Sequence, residues 1–527
     1  MPIVECRLQE KSPTTHPPRV DLWRINMSEE IKLTKLESGM PILIGGDRVA
    51  HISAELAEKF RPGDKLIAVR KTGEILHVPQ VVHALATEAV SRALAAFDVQ
   101  QSASDDQITR FYEEFAHRLT DSDIWSKIAK ANEKDVALAK EKGRSTTRLA
   151  ADEKMRKNMI AGLHQWRDLT SRRDKVTATI EHKGWSVDEV ISPCGVVAFV
   201  FEGRPNVLAD ATGVLRSGNT AVFRIGSDAL GTAQAIMEHA LKPALSAAGL
   251  PEGAVVLLEN VEHSAGWALF ADTRLALAVA RGSGRAVDLL GAIAREAGNA
   301  VSLHGTGGGW IIADETADAG KFELAIYNST DKKLCNTVNV ICIPRSRTDL
   351  VPRMLEALKR RGEKLGYGYR LHAAHGSEDM IPAELFKTEI EVCRASGVQH
   401  ELLATVWPAD QLGHEWEWEQ TPEVTVVAIA DLDEGIRLFN SQSPLLVASL
   451  IGEDAAAQEH FLKAINAPFI GNGFTRWVDG QYALCRPELG LSNWQNGRLL
   501  ARGGILAGDG AFTIKLRVRQ TDPDVRR

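Results

Sequence analysis

The chain has 527 residues, 44% of them hydrophobic and 25% charged, with a formal net charge of −7. That length exceeds one ordinary domain and predicts two or three, and the composition is that of a globular protein. The acidic balance excludes a general nucleic-acid binder, which would carry a basic excess, but local arginines can still gather small anions.

Met1 to Arg24 is polar and proline-containing, without the apolar core of a secretory signal, and residues 1–26 are expected to be flexible. No stretch reaches the ~18 apolar residues of a membrane span. The six cysteines (Cys6, Cys194, Cys335, Cys342, Cys393, Cys485) contain no CxxC pair, so neither a disulfide framework nor a metal centre is indicated. A reduced, cytoplasmic setting is the default.

Short strands are expected at Ile42–Ile44, Lys65–Val69 and Ile75–Val78, the last two as a hairpin around Lys71-Thr72-Gly73. With the Ala-rich helix over 80–97 they make a small α+β extension module at 27–100, and Gln100 to Asp106 reads as a linker. From Ile108 to Arg173 the apolar spacing is helical. Val176 to Ile191 alternates around Gly184, as a β-hairpin does. Then follow a strand at Gly195–Phe201, a helix at 206–216, a strand at Thr220–Phe223, a helix at 229–248, and strands at Val255–Glu259 and Leu275–Val279. This alternation predicts a parallel sheet with crossover helices. A second α/β unit starts near Trp310, with a strand at Val338–Ile343, a helix at Leu350–Leu365 and a strand at Val424–Ala430. Phe512 to Val518 alternates as a terminal strand with one wet face.

Four places carry chemistry. Cys335, before the apolar run Val338–Ile343, is a candidate nucleophile for an acyl carbonyl, with Lys332 and Lys333 as nearby cations that would favour its thiolate. The plain alternative is a small buried hydrophobe, the reading preferred for Cys342. Glu202-Gly203-Arg204-Pro205-Asn206 follows a strand, where open parallel sheets bind ligands. Asn206 there suits an oxyanion donor or a helix cap, and Arg204 an anion. Arg224-Ile225-Gly226-Ser227 and Arg281-Gly282-Ser283-Gly284 each lead from strand to helix and suit a nucleotide's ribose or phosphate, although glycine turns at such places are ordinary.

Together, Pro193-Cys194-Gly195-Val196-Val197, Glu202 to Val207, Arg216-Ser217-Gly218-Asn219-Thr220, Arg281 to Gly284, Cys335-Asn336-Thr337-Val338 and Glu415-Trp416-Glu417-Trp418-Glu419 resemble the NADP-dependent γ-glutamyl phosphate reductases. These are also called glutamate-5-semialdehyde dehydrogenases and belong to the aldehyde dehydrogenase superfamily. Thr475-Arg476-Trp477, Pro487-Glu488-Leu489-Gly490-Leu491-Ser492 and Ala501-Arg502-Gly503-Gly504 continue the likeness.

The resemblance implies an aldehyde dehydrogenase-like α/β fold. Its parts would be a Rossmann-like cofactor domain at 101–308, a catalytic domain at 309–470 and a return segment at 471–527. The hairpin at 176–191 and the terminal strand would form an oligomerisation element, making a homo-oligomer, dimer or tetramer. Cys335 would attack an acyl phosphate, Asn206 would hold the oxyanion, and NADP(H) would reduce the thioacyl group to an aldehyde. Arg224, Gly226, Ser227, Arg281, Gly282, Ser283, Gly284 and Glu419 would bind the cofactor, with Arg224 favouring a 2′-phosphate. Glu202, Arg204, Asn336, Thr475 and Arg476 would bind substrate, and a partner kinase is a natural supplier of it.

The sequence also departs from the family pattern. No carboxylate stands near Val301–Gly305, where hydrolytic aldehyde dehydrogenases carry their general base, and Asn339 replaces a glutamate. Residues 480–487 replace a glycine-rich run, and residues 1–100 have no counterpart. The same residues suit reduction of a different activated acyl group, or a scaffold that binds nucleotide or a kinase without catalysis.

Overall fold

The computed structural model describes residues 32–144, 146, 148–394, 397–489 and 507–525. The expectation for residues 1–26 and the motifs at 490–492 and 501–504 lie outside the described residues.

The alternating strand–helix pattern builds two parallel sheets. The first has five strands in the order Ala300–His304, Leu277–Arg281, Val196–Phe201, Thr220–Ile225, Val255–Leu257. Its central strands Val196–Phe201 and Thr220–Ile225 are buried at every position, as expected where helices cover both faces. Val197, Phe199, Phe201, Ala221 and Phe223 face one core, shared with the helices Asp105–Thr120 and Glu153–Asp168. Val196, Ala198, Val200 and Val222 face the other.

That second face explains the segment before residue 101. The helix Gln80–Gln100 sets Val82, Ala86, Val90 and Ala93 against Val196 and Ala198. Thr220 Oγ1 donates to the Ala93 carbonyl at 2.9 Å, and Gln100 Nε2 to the Asn219 carbonyl at 2.9 Å. The extension expected at 27–100 is therefore divided. The hairpin Lys65–Ala68/Ile75–Val78 and this helix share the first sheet's core. The hairpin Pro41–Ile44/Arg48–His51 and the helix Ala54–Lys59 form a second small cluster around Leu36, Ile52 and Phe60, against which Leu66 and Ile75 of the other hairpin also pack.

Two expected helices differ in detail. Residues 206–216 form one α-turn, Val207–Ala211, followed by a tighter 3₁₀ turn, Thr212–Leu215. The helix over 229–248 widens to a π-turn at Met237–Leu241, just before Pro243. Proline lacks the N–H that would continue the ladder, and the widened turn absorbs the break.

The second sheet has seven parallel strands in the order Ala404–Trp407, Arg370–Ala374, Glu423–Ile429, Val338–Pro344, Gly309–Ala313, Val447–Ile451, Phe469–Gly471. Cys342 is buried in its core. A three-stranded antiparallel arm projects separately: Val176–His182 pairs with Trp185–Pro193, which pairs with the terminal strand Phe512–Gln520. No described helix is long and apolar enough to cross a membrane.

Candidate active site

Three strands of the first sheet end at one place. Val196–Phe201 delivers Glu202 to Asn206, Leu277–Arg281 delivers Arg281 to Gly284, and Ala300–His304 delivers His304 to Thr306. Ligands gather at such carboxyl ends because the backbone leaves the sheet there and opens a crevice. The second lobe closes the crevice with Leu334 to Asn336, Glu415, Glu417, Arg476 and Asp479, and Arg148 comes from the connection between the helices Ser122–Glu141 and Glu153–Asp168. They enclose a cavity of about 490 Å³. Cys335, Asn206, Glu202, Arg204, Arg281, Gly282, Ser283, Gly284, Asn336 and Arg476 all line it.

The cysteine loop is held from both sides. The Cys335 carbonyl accepts from Gly308 N at 2.7 Å, and the Thr337 carbonyl from Gly309 N at 2.8 Å. Asn336 Nδ2 donates to the Val478 carbonyl at 2.7 Å, and its Oδ1 accepts from Arg476 Nη1 at 2.5 Å. Arg476 Nε donates to Asp331 Oδ1 at 2.7 Å. Thr475, fully buried behind the wall and outside the cavity lining, donates Oγ1 to the Asn336 carbonyl at 2.6 Å. Asn336, Thr475 and Arg476 thus brace the loop.

The half-buried Cys335 thiol is pushed up to about 11 by burial and by the Glu488 charge, against the pull of Arg281 and Arg204. Each arginine has its own glutamate. Arg204 pairs with Glu202, and Arg281 pairs with Glu488 at 3.2 Å while lying over the Phe201 ring. The cations acting on the sulfur are therefore these two arginines. Lys333, expected in that role, is tied instead to Glu415, whose second oxygen accepts from Gly307 N at 2.5 Å.

Asn206 sits at the start of the short helix Val207–Ala211 but makes no capping bond with its side chain. Its Nδ2 donates to Asp210 Oδ2 at 2.5 Å. Asp210 also lines the cavity, and burial pushes its carboxyl up to about 7.

The expected cofactor residues separate into two groups. Arg281 to Gly284 border the cavity, whereas Arg224, Gly226, Ser227 and Glu419 are absent from its lining. From the same segment as Glu419, it is Glu415 and Glu417 that reach the wall. Gly226 packs against the Gly203 backbone, where a Cβ would come within 2.9 Å of Gly203 N. Ser227 opens the turn Ser227–Ala229 beside Asp228, which pairs with Arg144 at 2.5 Å. Arg224 is buried at 6% exposure, and its Nη2 donates to the carbonyls of Val261 and Glu262 at 2.8 and 3.1 Å. Its Nε has no partner, and it has no carboxylate partner among the described residues. Burial alone pulls its pKa down. A buried cation without a counter-charge is costly, so this strand end fits an anionic group such as a nucleotide phosphate. Ser283, whose side chain makes no cap bond at the start of the helix Gly284–Glu296, leaves donors for another.

The sequence reading gave no role to Glu415, Glu417 and Glu488, which stand inside the resembling motifs, and missed Asp210, Arg148 and Asp479. For Asp210 alone a local signal existed, its spacing of four from Asn206 in a helical segment. Among the described residues no group of three His, Cys, Asp or Glu is placed to hold a metal ion.

Residues 66–376 match the sequence pattern of the aldehyde dehydrogenase family. The γ-glutamyl phosphate reductase of Moorella thermoacetica is 31% identical over 387 residues, 71% of this chain and 84% of that protein. The crystal structure of γ-glutamyl phosphate reductase from Thermotoga maritima superposes with a TM-score of 0.71 at 23% identity, covering 84% of this chain and 100% of that one. An engineered glycolyl-CoA reductase with bound NADP+ shares the fold with a TM-score of 0.57 at 15% identity, covering 84% and 98%. The chain is an oxidoreductase of the aldehyde dehydrogenase family and belongs to its γ-glutamyl phosphate reductase branch.

Proposed function

We propose that the chain reduces an acyl phosphate to an aldehyde, γ-glutamyl phosphate to glutamate 5-semialdehyde, as in proline biosynthesis, through a thioester on Cys335. The observation that carries this is the meeting of Cys335, Asn206, Arg204 and Arg281 in one cavity. The strand beside it ends in His304 rather than a carboxylate that would activate water. In the first step the Cys335 sulfur bonds to the acyl carbon and the carbon–oxygen bond to phosphate breaks. Arg204 and Arg281 stabilise both the thiolate and the departing phosphate, and the Asn206 amide donates to the carbonyl oxygen as it gains charge. NADPH, when bound, supplies the hydride that reduces the thioester. The carbon–sulfur bond then breaks, releasing aldehyde and restoring the Cys335 thiolate. Arg281 to Gly284, Gly226, Ser227 and Glu419 are assigned to the cofactor, and the unpaired Arg224 to the 2′-phosphate that distinguishes NADPH from NADH. Glu202, Asn336, Thr475 and Arg476 are assigned to the substrate side, Thr475 through its hold on Asn336. A kinase that forms the acyl phosphate is the natural supplying partner.

The projecting arm supports assembly with a second copy. Ile180, Leu516 and Val518 on its two edge strands are 50%, 69% and 59% exposed, an apolar load that solvent-facing edge strands rarely carry.

The test is NADP+ reduction with glutamate 5-semialdehyde and phosphate. Turnover that requires phosphate and vanishes in Cys335→Ala supports the reading. Absence of turnover in the wild type overturns the glutamyl assignment, and turnover independent of phosphate overturns the acyl-phosphate step.

A further inference from the structure

Asn206 reaches the cavity through a side chain that has no capping duty, and the group that holds it is Asp210, one helical turn later. A primary amide on a free rotamer presents its N–H and its carbonyl oxygen to a ligand equally well, and only the N–H stabilises an oxyanion. Asp210 Oδ2 accepts one N–H of Asn206 at 2.5 Å. That contact fixes which end of the amide is nitrogen and directs the second N–H elsewhere. Asp210 is itself anchored: its backbone carbonyl accepts from Trp166 Nε1 at 3.2 Å, and its N–H donates to the Asn206 carbonyl at 3.1 Å.

We propose that Asp210 is a positioning residue for Asn206, its ionised carboxylate holding the amide with an N–H turned towards the acyl oxygen on Cys335. The inference rests on the assignment of Asn206 as oxyanion donor. The charged groups facing Asp210 are Arg281 from the strand Leu277–Arg281, Glu488 from the loop beyond residue 483, and Asp479 ahead of the short helix Gly480–Ala483. Arg281 favours the carboxylate, while burial, Glu488 and Asp479 favour the neutral acid, and the balance leaves the carboxyl titrating at about 7. In the neutral form Asp210 offers an O–H of its own, which the Asn206 carbonyl accepts equally well, so the amide loses its fixed sense. Turnover consequently falls as pH drops through about 7.

The experiment compares kcat and its pH profile for Asn206→Ala, Asp210→Ala, Asp210→Asn and the double alanine variant, with thermal melting as a check of folding. Asp210→Ala is expected to lower kcat by roughly 10- to 100-fold with KM little changed, the loss seen when an outer partner that orients a functional group is removed. Asp210→Asn keeps the shape and an acceptor oxygen but cannot titrate, so it recovers part of that loss and its profile lacks the limb near neutral pH. The double variant is expected to be no slower than Asn206→Ala. If Asn206→Ala turns over normally, the oxyanion assignment itself fails. If Asn206→Ala is slow but Asp210→Ala in folded protein is not, or the limb persists in Asp210→Asn, the positioning role is overturned.

Discussion

A Cβ added at Gly307 would stand 2.5 Å from both the Cα and the carbonyl oxygen of Cys335. The glycine therefore lets the loop after the strand Ala300–His304 lie directly on the backbone of the candidate nucleophile, while its own N–H is held by Glu415. Both atoms that an alanine would meet are backbone or fixed to it, so no rotamer change relieves the clash. Gly307→Ala is expected to displace Cys335 and to lower kcat by roughly 10²-fold, the scale for a misplacement of about 1 Å in a reacting group. Because only two loops must part, melting should shift little. A variant with wild-type turnover would show that the two loops separate freely.

The charges around the thiol give a second prediction with opposite signs for two neighbours. Burial and Glu488 hold the Cys335 thiol up, and Arg281 and Arg204 pull it down. Glu488→Gln removes a negative neighbour and should lower the thiol pKa. Arg281→Met removes a positive one and should raise it. The readout is iodoacetamide alkylation of Cys335 against pH, followed by peptide mass mapping. Relative to wild type at one mildly alkaline pH, the first variant should label faster and the second more slowly. Equal rates in all three would remove the Arg281–Glu488 pair from control of the sulfur.

The parts of the site that were legible in the sequence are those that follow a strand. Asn206, Arg281 and Cys335 each stand beside an apolar run whose direction in a parallel sheet is set by the alternation of strands and helices. Apart from Asp210, four positions after Asn206, the contacts that hold the site together were not legible. Lys333 meets Glu415 across 82 positions, and Gly307 meets it across 108, and no local pattern encodes such a pairing. The helix Gln80–Gln100 shows the same division. Its buried stripe Val82, Ala86, Val90, Ala93 is readable at helical spacing, but nothing in the stripe names the sheet it covers. Lys332 and Lys333 were the natural cations for Cys335 by proximity in sequence, yet a backbone turn separates neighbours as readily as it joins them.

Arg224 offers a test of coenzyme choice that can also be read on the ligand-free protein. Its guanidinium is buried, bonded only to the Val261 and Glu262 carbonyls, and has no carboxylate partner among the described residues. Arg224→Met should lower kcat/KM with NADPH by roughly 10- to 100-fold, the worth of one hydrogen bond to a charged group, and change kcat/KM with NADH little. The same variant should melt at a higher temperature without ligand, because an uncompensated buried charge has been removed. Equal losses with both coenzymes would place Arg224 away from the 2′-phosphate.

The last prediction concerns acid stability and begins under the second sheet. Glu423 accepts from Arg370 Nη1 at 2.6 Å and from Arg394 Nη1 at 2.7 Å, and lies 2.7 Å from His372 Nε2. The His372 ring stacks on Trp416 at 3.6 Å, and the Trp416 backbone N–H donates to Asn339 Oδ1 at 2.9 Å, one residue from the Glu415 that holds Gly307. Burial would raise the Glu423 carboxyl, but His372 and Arg394 outweigh it and leave it below the usual 4.5. Burial draws His372 below the usual 6.5, against the pull of Glu423. Both folded values are depressed, so both groups bind fewer protons folded than unfolded, and both contributions have the same sign. The stability from neutral His372 is complete above pH 6.5 and is lost as pH falls through its lower folded value. That from Glu423 is complete above 4.5 and is lost at still lower pH. Urea unfolding across this range should therefore show stability declining in two stages on the acid side. Glu423→Gln strands two arginines with Glu401 as their remaining carboxylate and should cost about 3 kcal/mol at neutral pH, the scale for breaking a buried pair from one side. The second stage should then disappear. A variant as stable as wild type, or one that keeps the second stage, would show that Glu423 is not the group whose protonation loosens this lobe.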